Sequence, residues 1–105
     1  MTANDMTPYE FTHPSDVVKE ELEYRGISQK QFAEIIGVSY TMLNDILNGK
    51  RQVSTDFALT LEAATGISAE LLVNMQTRFN LQVIRSKKEN IDRWKNLREN
   101  CTSLL

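Results

Sequence analysis

The sequence predicts an all-α fold, five short helices followed by an additional C-terminal helix, and three features of its 105 residues point there. Each of the four glycines, Gly26, Gly37, Gly49 and Gly66, is followed within two to five residues by a serine placed to start a helix: Ser28, Ser39, Ser54 and Ser68. Between these punctuation marks apolar residues recur at three- and four-residue spacing. No segment before residue 79 alternates as a strand does.

Residues 1–11 read as a flexible lead in which only Tyr9 and Phe11 are able to pack. The first helix begins at Pro14 or Ser15, since proline is tolerated in a first turn and Asp16 suits the positive helix end. Val18 and Leu22 form its buried side, with Val17 and Tyr24 as candidates to join them. Glu20, Glu21 and Glu23 are left to solvent, and Gly26 ends the helix. His13 belongs to the lead into it.

Ser28 can cap the second helix with Gln31 reaching back as a capping box, and Ile27 and Phe32 stand at hydrophobic-staple spacing. Gly37 stops it. Ser39 caps the third helix, Val38 and Leu43 repeat the staple, and Gly49 ends it. The joint Gly37-Val38-Ser39 is too tight for two antiparallel helices and has the length of a helix-turn-helix corner. Phe32, Ala33 and Ile36 on one helix, with Leu43, Ile46 and Leu47 on the other, make one apolar side each. Small Ala33 permits a close crossing.

The connection Lys50-Arg51-Gln52-Val53 is polar enough to be exposed. The fourth helix, Thr55 to Thr65, offers Phe57, Ala58, Leu61 and Ala64 to a core. The fifth begins after Ser68, with Ile67 and Leu72 as its staple, buries Leu71, Leu72 and Met75, and closes the five-helix set at residue 79; Val73 is a further candidate. Beyond it, Phe79, Leu81 and Val83 alternate briefly. Ile84, Ile91, Trp94, Leu97 and Cys101 then follow an irregular helical stripe flanked by Arg and Lys. The expected organisation is a lead over 1–11, a helix-turn-helix domain over 12–81, and a C-terminal amphipathic helix and tail over 82–105.

Composition bounds the function. The length suits one domain with a modest core, and no apolar run approaches the roughly 20 residues of a membrane span. The acidic N-terminus lacks the basic and apolar regions of a signal peptide, so a cytoplasmic location without membrane contact is expected. One cysteine, Cys101, excludes an intramolecular disulfide, and with one histidine it makes no recognisable metal site. No phosphate loop, zinc motif or nucleophile elbow is present, so an enzyme is not expected, nor a cofactor. The net charge of −2 is unevenly spread: −5 over residues 1–24, +2 over 25–52, −3 over 53–77 and +4 over 78–105. The segment holding the helix-turn-helix corner is locally positive. A weakly acidic chain can bind DNA when its basic side chains face phosphates, with marked salt dependence.

The polar side of the third helix carries Tyr40, Thr41, Asn44, Asp45 and Asn48. A helix laid in the major groove presents its N-terminal residues to base edges, which assigns Ser39, Tyr40, Thr41 and Asn44 to base reading. Asn44 can bond adenine bidentately, and Thr41 can offer its methyl group to thymine or its hydroxyl to a base. Tyr40 can instead touch a phosphate; Asp45 can accept from cytosine or hold a neighbouring side chain. Gln29, at the start of the preceding helix, and Asn48, Lys50 and Arg51, at the far end, are the phosphate-binding candidates.

These residues resemble a known family. Gln29, Ala33, Gly37-Val38-Ser39, Leu43 and Asn48-Gly49 look like the helix-turn-helix of the phage-repressor and Cro class. The wider frame is similar to HigA-type antitoxins of bacterial toxin-antitoxin pairs: His13-Pro14, Glu20-Glu21-Leu22, Ile46-Leu47-Asn48-Gly49-Lys50-Arg51, Ala58, and Met75-Gln76 before Phe79-Asn80-Leu81. The likeness covers about residues 13–81. Two departures stand out: the family's usual tryptophan in the fifth helix is replaced by Leu71 or Leu72, and its HPGE is here HPSD.

The resemblance implies a repressor-like fold and an antitoxin that, as a homodimer, represses its own operon by binding double-stranded operator DNA. It also implies that the chain neutralises a small HigB-type ribonuclease, a toxin that cleaves messenger RNA. For the toxin or dimer interface the residues offer Glu20 and Glu23, acids that could meet a basic nuclease, and Ile91 and Trp94 on the last helix. Solvation and dimerisation account for the same four residues equally well. Two alternatives stand beside the antitoxin: a repressor of the same fold without a toxin partner, and an interaction protein whose helix pair no longer reads DNA.

Overall fold

The computed structural model describes residues 12–104; the expected lead over residues 1–11 lies outside them. The described residues form six α-helices and no strand: α1 (Pro14–Arg25), α2 (Gln29–Ile36), α3 (Tyr40–Leu47), α4 (Thr55–Thr65), α5 (Ala69–Arg85) and α6 (Lys88–Leu104). The all-α class is as the sequence predicts. Two compact units are present, Thr12–Thr77 and the segment from Arg78 onward.

The first unit owes its helix ends to local chemistry. Ser28 and Gln31 form the capping box: Ser28 Oγ accepts from the Gln31 amide at 3.1 Å, and Gln31 Oε1 accepts from the Ser28 amide at 2.9 Å. Ser39 and Ser54 cap α3 and α4 through the amides of Met42 and Phe57, each at 3.1 Å. Such caps contribute about 1 kcal/mol each. The start of α1 holds a device the sequence did not reveal. His13 is its N-cap, and its Nδ1 accepts from the Ser15 amide at 3.1 Å and meets Ser15 Oγ at 2.8 Å, both residues being buried.

The core gathers one apolar side from each helix: Val18 and Leu22 of α1, Phe32 and Ala33 of α2, Leu43, Ile46 and Leu47 of α3, Phe57, Ala58 and Leu61 of α4, and Ala69 and Leu72 of α5. Val17, Ile36, Ala64 and Val73 are partly buried against it. Helix α3 packs on both α1 and α2, and α2 also meets α4. Each fully buried aliphatic side chain contributes roughly 1.5–3 kcal/mol, so the inner side of α3, with three of them, is firmly held. Polar contacts close the frame: Arg25 pairs with Glu21 and donates from Nη2 to the Thr65 carbonyl at 2.8 Å. Glu62 Oε2 accepts from the Ala69 amide at 3.0 Å.

Several expectations need correction. Tyr24 does not join the buried side of α1; it is 88% exposed, because the stripe that meets the core is narrow and runs through Val18 and Leu22. Leu71 is likewise exposed and Met75 only half-buried, because Leu72, one residue and about 100° round the helix from Leu71, takes the core position and Gln76, four residues on, follows it on the buried side. Val53, placed in an exposed connection, is buried to 3% exposure, and its amide donates to Gln76 Oε1 at 2.8 Å. The fifth helix does not stop at residue 79 but continues to Arg85.

In the second unit, Ser86 interrupts the helix: its amide and hydroxyl both bond the Val83 carbonyl, at 3.3 and 2.8 Å. The Asn90 side chain then donates to the Ile84 carbonyl at 3.1 Å as α6 starts. Along this unit Leu81, Ile84, Ile91 and Leu97 are exposed and Trp94 is half-buried. Arg93 Cζ lies 5.7 Å from the centre of the Trp94 ring, a cation–π arrangement. Among the described residues no helix is long and apolar enough to cross a membrane.

Candidate nucleic-acid interface

The α2–α3 joint is built by one residue that can turn the other way. Gly37 takes a φ of 76°, a left-handed conformation that costs a residue with a Cβ about 1–2 kcal/mol. The turn lets the amides of Gly37 and Val38 both bond the Ala33 carbonyl, at 2.9 and 3.0 Å. The chain then re-enters a helix at Tyr40.

With Leu43, Ile46 and Leu47 at 0–1% exposure, α3 has one orientation available, and its polar side is turned outward. Tyr40 is 50% exposed and Thr41 is exposed; Asn44 and Asp45 are half-buried, and Asn48 is exposed. The expected base readers thus lie on the open first turns of the helix. Ser39 is also exposed, but its Oγ is engaged in capping, which leaves its hydroxyl hydrogen as the group free to donate.

Three side chains assigned separately are joined. Asn44 Nδ2 donates to Gln29 Oε1 at 3.1 Å, and Asn48 Nδ2 donates to Asn44 Oδ1 at 2.9 Å. A run of amides therefore passes from the C-cap of α3, through its middle, to the first residue of α2. Spacing within α3 explains the Asn48–Asn44 pair, which is i,i+4. The Gln29–Asn44 pair depends on how the two helices cross.

The far end is a closed turn. Helix α3 ends at Leu47 with Asn48 as its cap, one residue before the expected stop at Gly49. The Asp45 carbonyl accepts from the amides of Lys50 and Arg51, at 2.8 and 3.2 Å. Both basic side chains are exposed. Behind them the Val53–Gln76 bond pins the loop to α5. Gln76 is 5% exposed and was missed as a site-supporting residue, although its position four after Leu72 puts it on the buried stripe.

Of the expected toxin or dimer residues, Glu20 and Glu23 come together. With Lys19, Leu22, Ile27, Gln29 and Leu47 they line an open cavity of about 340 Å³. Ile91, which is 48% exposed, and Trp94 belong to the second unit. His13 has a pKa below its ordinary value of 6.5: burial disfavours the imidazolium most, Asp16 opposes that shift and Lys19 reinforces it.

Known proteins share the sequence pattern and the fold. The family model described as helix-turn-helix matches residues 18–72. Virulence-associated protein I of Dichelobacter nodosus is 32% identical over 81 residues, covering 76% of this chain and 75% of that protein. Among solved structures, the Pseudomonas aeruginosa antitoxin HigA with higBA promoter superposes with a TM-score of 0.69 at 28% identity, covering 73% of this chain and 85% of that one. An addiction module antidote protein of the HigA family from Coxiella burnetii gives a TM-score of 0.72 at 27% identity, with 80% and 94% covered.

Proposed function

The chain belongs to the helix-turn-helix family and, within it, to the HigA-type antitoxins, which are DNA-binding repressors rather than enzymes, and we propose that it binds its own operator as a homodimer and neutralises a small mRNA-cleaving toxin of the HigB type. In this reading α3 enters the major groove, with Ser39, Tyr40, Thr41 and Asn44 at base edges. Gln29, Asn48, Lys50 and Arg51 hold the phosphates on either side. The observation that carries it is the division of α3 into a fully buried apolar side and an open polar one. No cofactor is needed, because the chemistry is hydrogen bonding and charge neutralisation, and the chain acts in the cytoplasm.

Repression by a dimer requires two α3 helices about 34–36 Å apart on a near-palindromic site. Toxin binding is supported by the cavity that holds Glu20 and Glu23 beside the apolar Leu22, Ile27 and Leu47, a lining suited to a basic side chain with an aliphatic stem. The Ile91 and Trp94 surface of α6 is the second candidate. The test has two arms: retarded migration of the chain's own promoter fragment, and co-purification with the product of the adjacent gene. Failure to retard the fragment refutes DNA recognition. Retardation without a co-purifying protein leaves a repressor and refutes the antitoxin half.

A further inference from the structure

We propose, resting on the reading of α3 as the recognition helix, that the corner between α5 and α6 is a second and sequence-indifferent DNA contact: Arg85, Lys87 and Lys88 bind phosphates outside the base pairs that α3 reads.

Charge is divided between the two units in the wrong sense for a reader that works alone. Residues 12–77 carry five bases against nine acids, so the unit that holds α3 is itself repelled by a duplex at long range. Two of its five cations are otherwise engaged: Arg25 pairs with Glu21 and bonds the Thr65 carbonyl, and Lys19 stands beside Glu20 and Glu23. Lys30, Lys50 and Arg51 remain. Sequence-independent DNA affinity comes from neutralising phosphates and grows with each cation that releases a counterion. Residues 78–105 have the opposite balance, seven bases against three acids. The two units are one chain, so once α3 is seated every phosphate contact from the second unit is intramolecular and adds to affinity through effective concentration. Duplex DNA is therefore the polyanion that the first unit brings within reach of the second.

Three of those seven bases fall within four residues, Arg85-Ser86-Lys87-Lys88, all of them exposed. Basic side chains at the end of a helix commonly turn back onto its last carbonyls. Here those carbonyls are already taken. The Ser86 amide donates to the Gln82 and Val83 carbonyls at 3.0 and 3.3 Å, and the Ser86 hydroxyl donates to Val83 at 2.8 Å. The Ile84 carbonyl accepts from the Lys87 amide at 3.3 Å and from the Asn90 side chain at 3.1 Å. Arg85 and Lys87 consequently keep their cationic ends for an outside anion, and neither forms an ion pair among the described residues. Lys88 meets Asp92 at 3.2 Å, but both side chains are open to water, and such a pair is weak enough to be exchanged for a phosphate. Contacts made to phosphates by charge fix no base, which is why this one is indifferent to sequence.

The test uses the full chain and three duplexes: one that the chain selects from a randomised pool, the same duplex lengthened at each end by about one helical turn, roughly 10 base pairs, of arbitrary sequence, and an arbitrary duplex of the longer length. Affinity is measured on each at several salt concentrations. The wild type should bind the lengthened duplex about threefold or more tighter than the trimmed one. The combined variant Arg85→Gln/Lys87→Gln/Lys88→Gln should lose that gain, lower the slope of log affinity against log salt by about 2 or more on the two long duplexes, and keep its base discrimination. Asp92→Asn, which removes the acid beside Lys88, should act in the opposite direction and tighten binding to both. A combined variant whose slope and length gain match the wild type would overturn the proposal and return the corner to solvent. Loss of base discrimination in that variant would overturn it too, because the corner would then be acting through α3. A slope that falls on single-stranded RNA of equal length but not on the duplexes would assign the corner to RNA, against the proposal. Failure to select any duplex is a separate result: it overturns the recognition reading, while the slope on the arbitrary duplex still decides whether the corner holds DNA phosphates.

Discussion

Replacing Gln76 by Met tests the support behind the candidate interface. Val53 and Gln76 are 3% and 5% exposed, and the 2.8 Å bond between the Val53 amide and Gln76 Oε1 links the loop after α3 to α5. Methionine preserves length and apolar bulk but removes the acceptor, stranding a buried N–H. The cost of such a group is about 1–3 kcal/mol. In a domain of this size each kcal/mol lowers the thermal midpoint by about 4–8 °C, so a fall of roughly 4–24 °C is expected in a melt followed by circular dichroism. The loop also carries Lys50 and Arg51, three and two residues before Val53. Operator affinity should therefore fall at temperatures where the variant is still folded. A Gln76→Met protein within about 0.5 kcal/mol of the wild type, the range of an ordinary surface change, would refute the claim that this bond anchors the loop.

Three further outcomes are expected. His13 accepts a hydrogen bond at Nδ1 only while neutral, and its pKa is lowered chiefly by burial. The unfolded chain therefore takes up a proton that the fold resists. Stability should be level above the ordinary value of 6.5 and decline as the pH falls below it, whereas His13→Asn, which caps without titrating, should be flat through that window in denaturant titrations across about pH 5–8. Leu43→Ala empties a site of 0% exposure on the inner side of α3 and should cost about 2–5 kcal/mol in equilibrium unfolding. Lys50→Ala and Arg51→Ala should each weaken all DNA sequences alike and reduce the slope of log affinity against log salt by about 0.9, read from titrations at several salt concentrations.

Where the chain announced its helix ends with short-range chemistry, the sequence was readable to the residue: the Ser28–Gln31 box, the Ser39 and Ser54 caps and the span of α4 all stand where expected. Residues 67–105 contain neither glycine nor proline. Without a stop signal the end of α5 depended on Ser86 folding back on Val83, which no spacing announces. Adjacent apolar residues raise a different difficulty. Leu71 and Leu72 are equally hydrophobic, and only the position of α4 and its neighbours decides which of them is covered. Val53 was lost because its polar neighbours Lys50, Arg51 and Gln52 set the character of the segment, while its side chain joins the core cluster and its amide is held by Gln76, 23 residues away. The open side of α3 was legible from periodicity. Its internal wiring was not, because the Gln29–Asn44 bond joins two helices and exists only once they have crossed.

The half-buried indole in α6 has a practical consequence. Trp94 is the only tryptophan of the chain, and it lies in the second unit, whereas Tyr40 stands on the open side of α3. Light absorbed selectively by the indole consequently samples the segment that carries α6. Emission from Trp94 and a fluorophore placed beside Tyr40 would give two separate optical channels, one in each unit, so that the response of each to an added duplex or protein can be followed in the same cuvette.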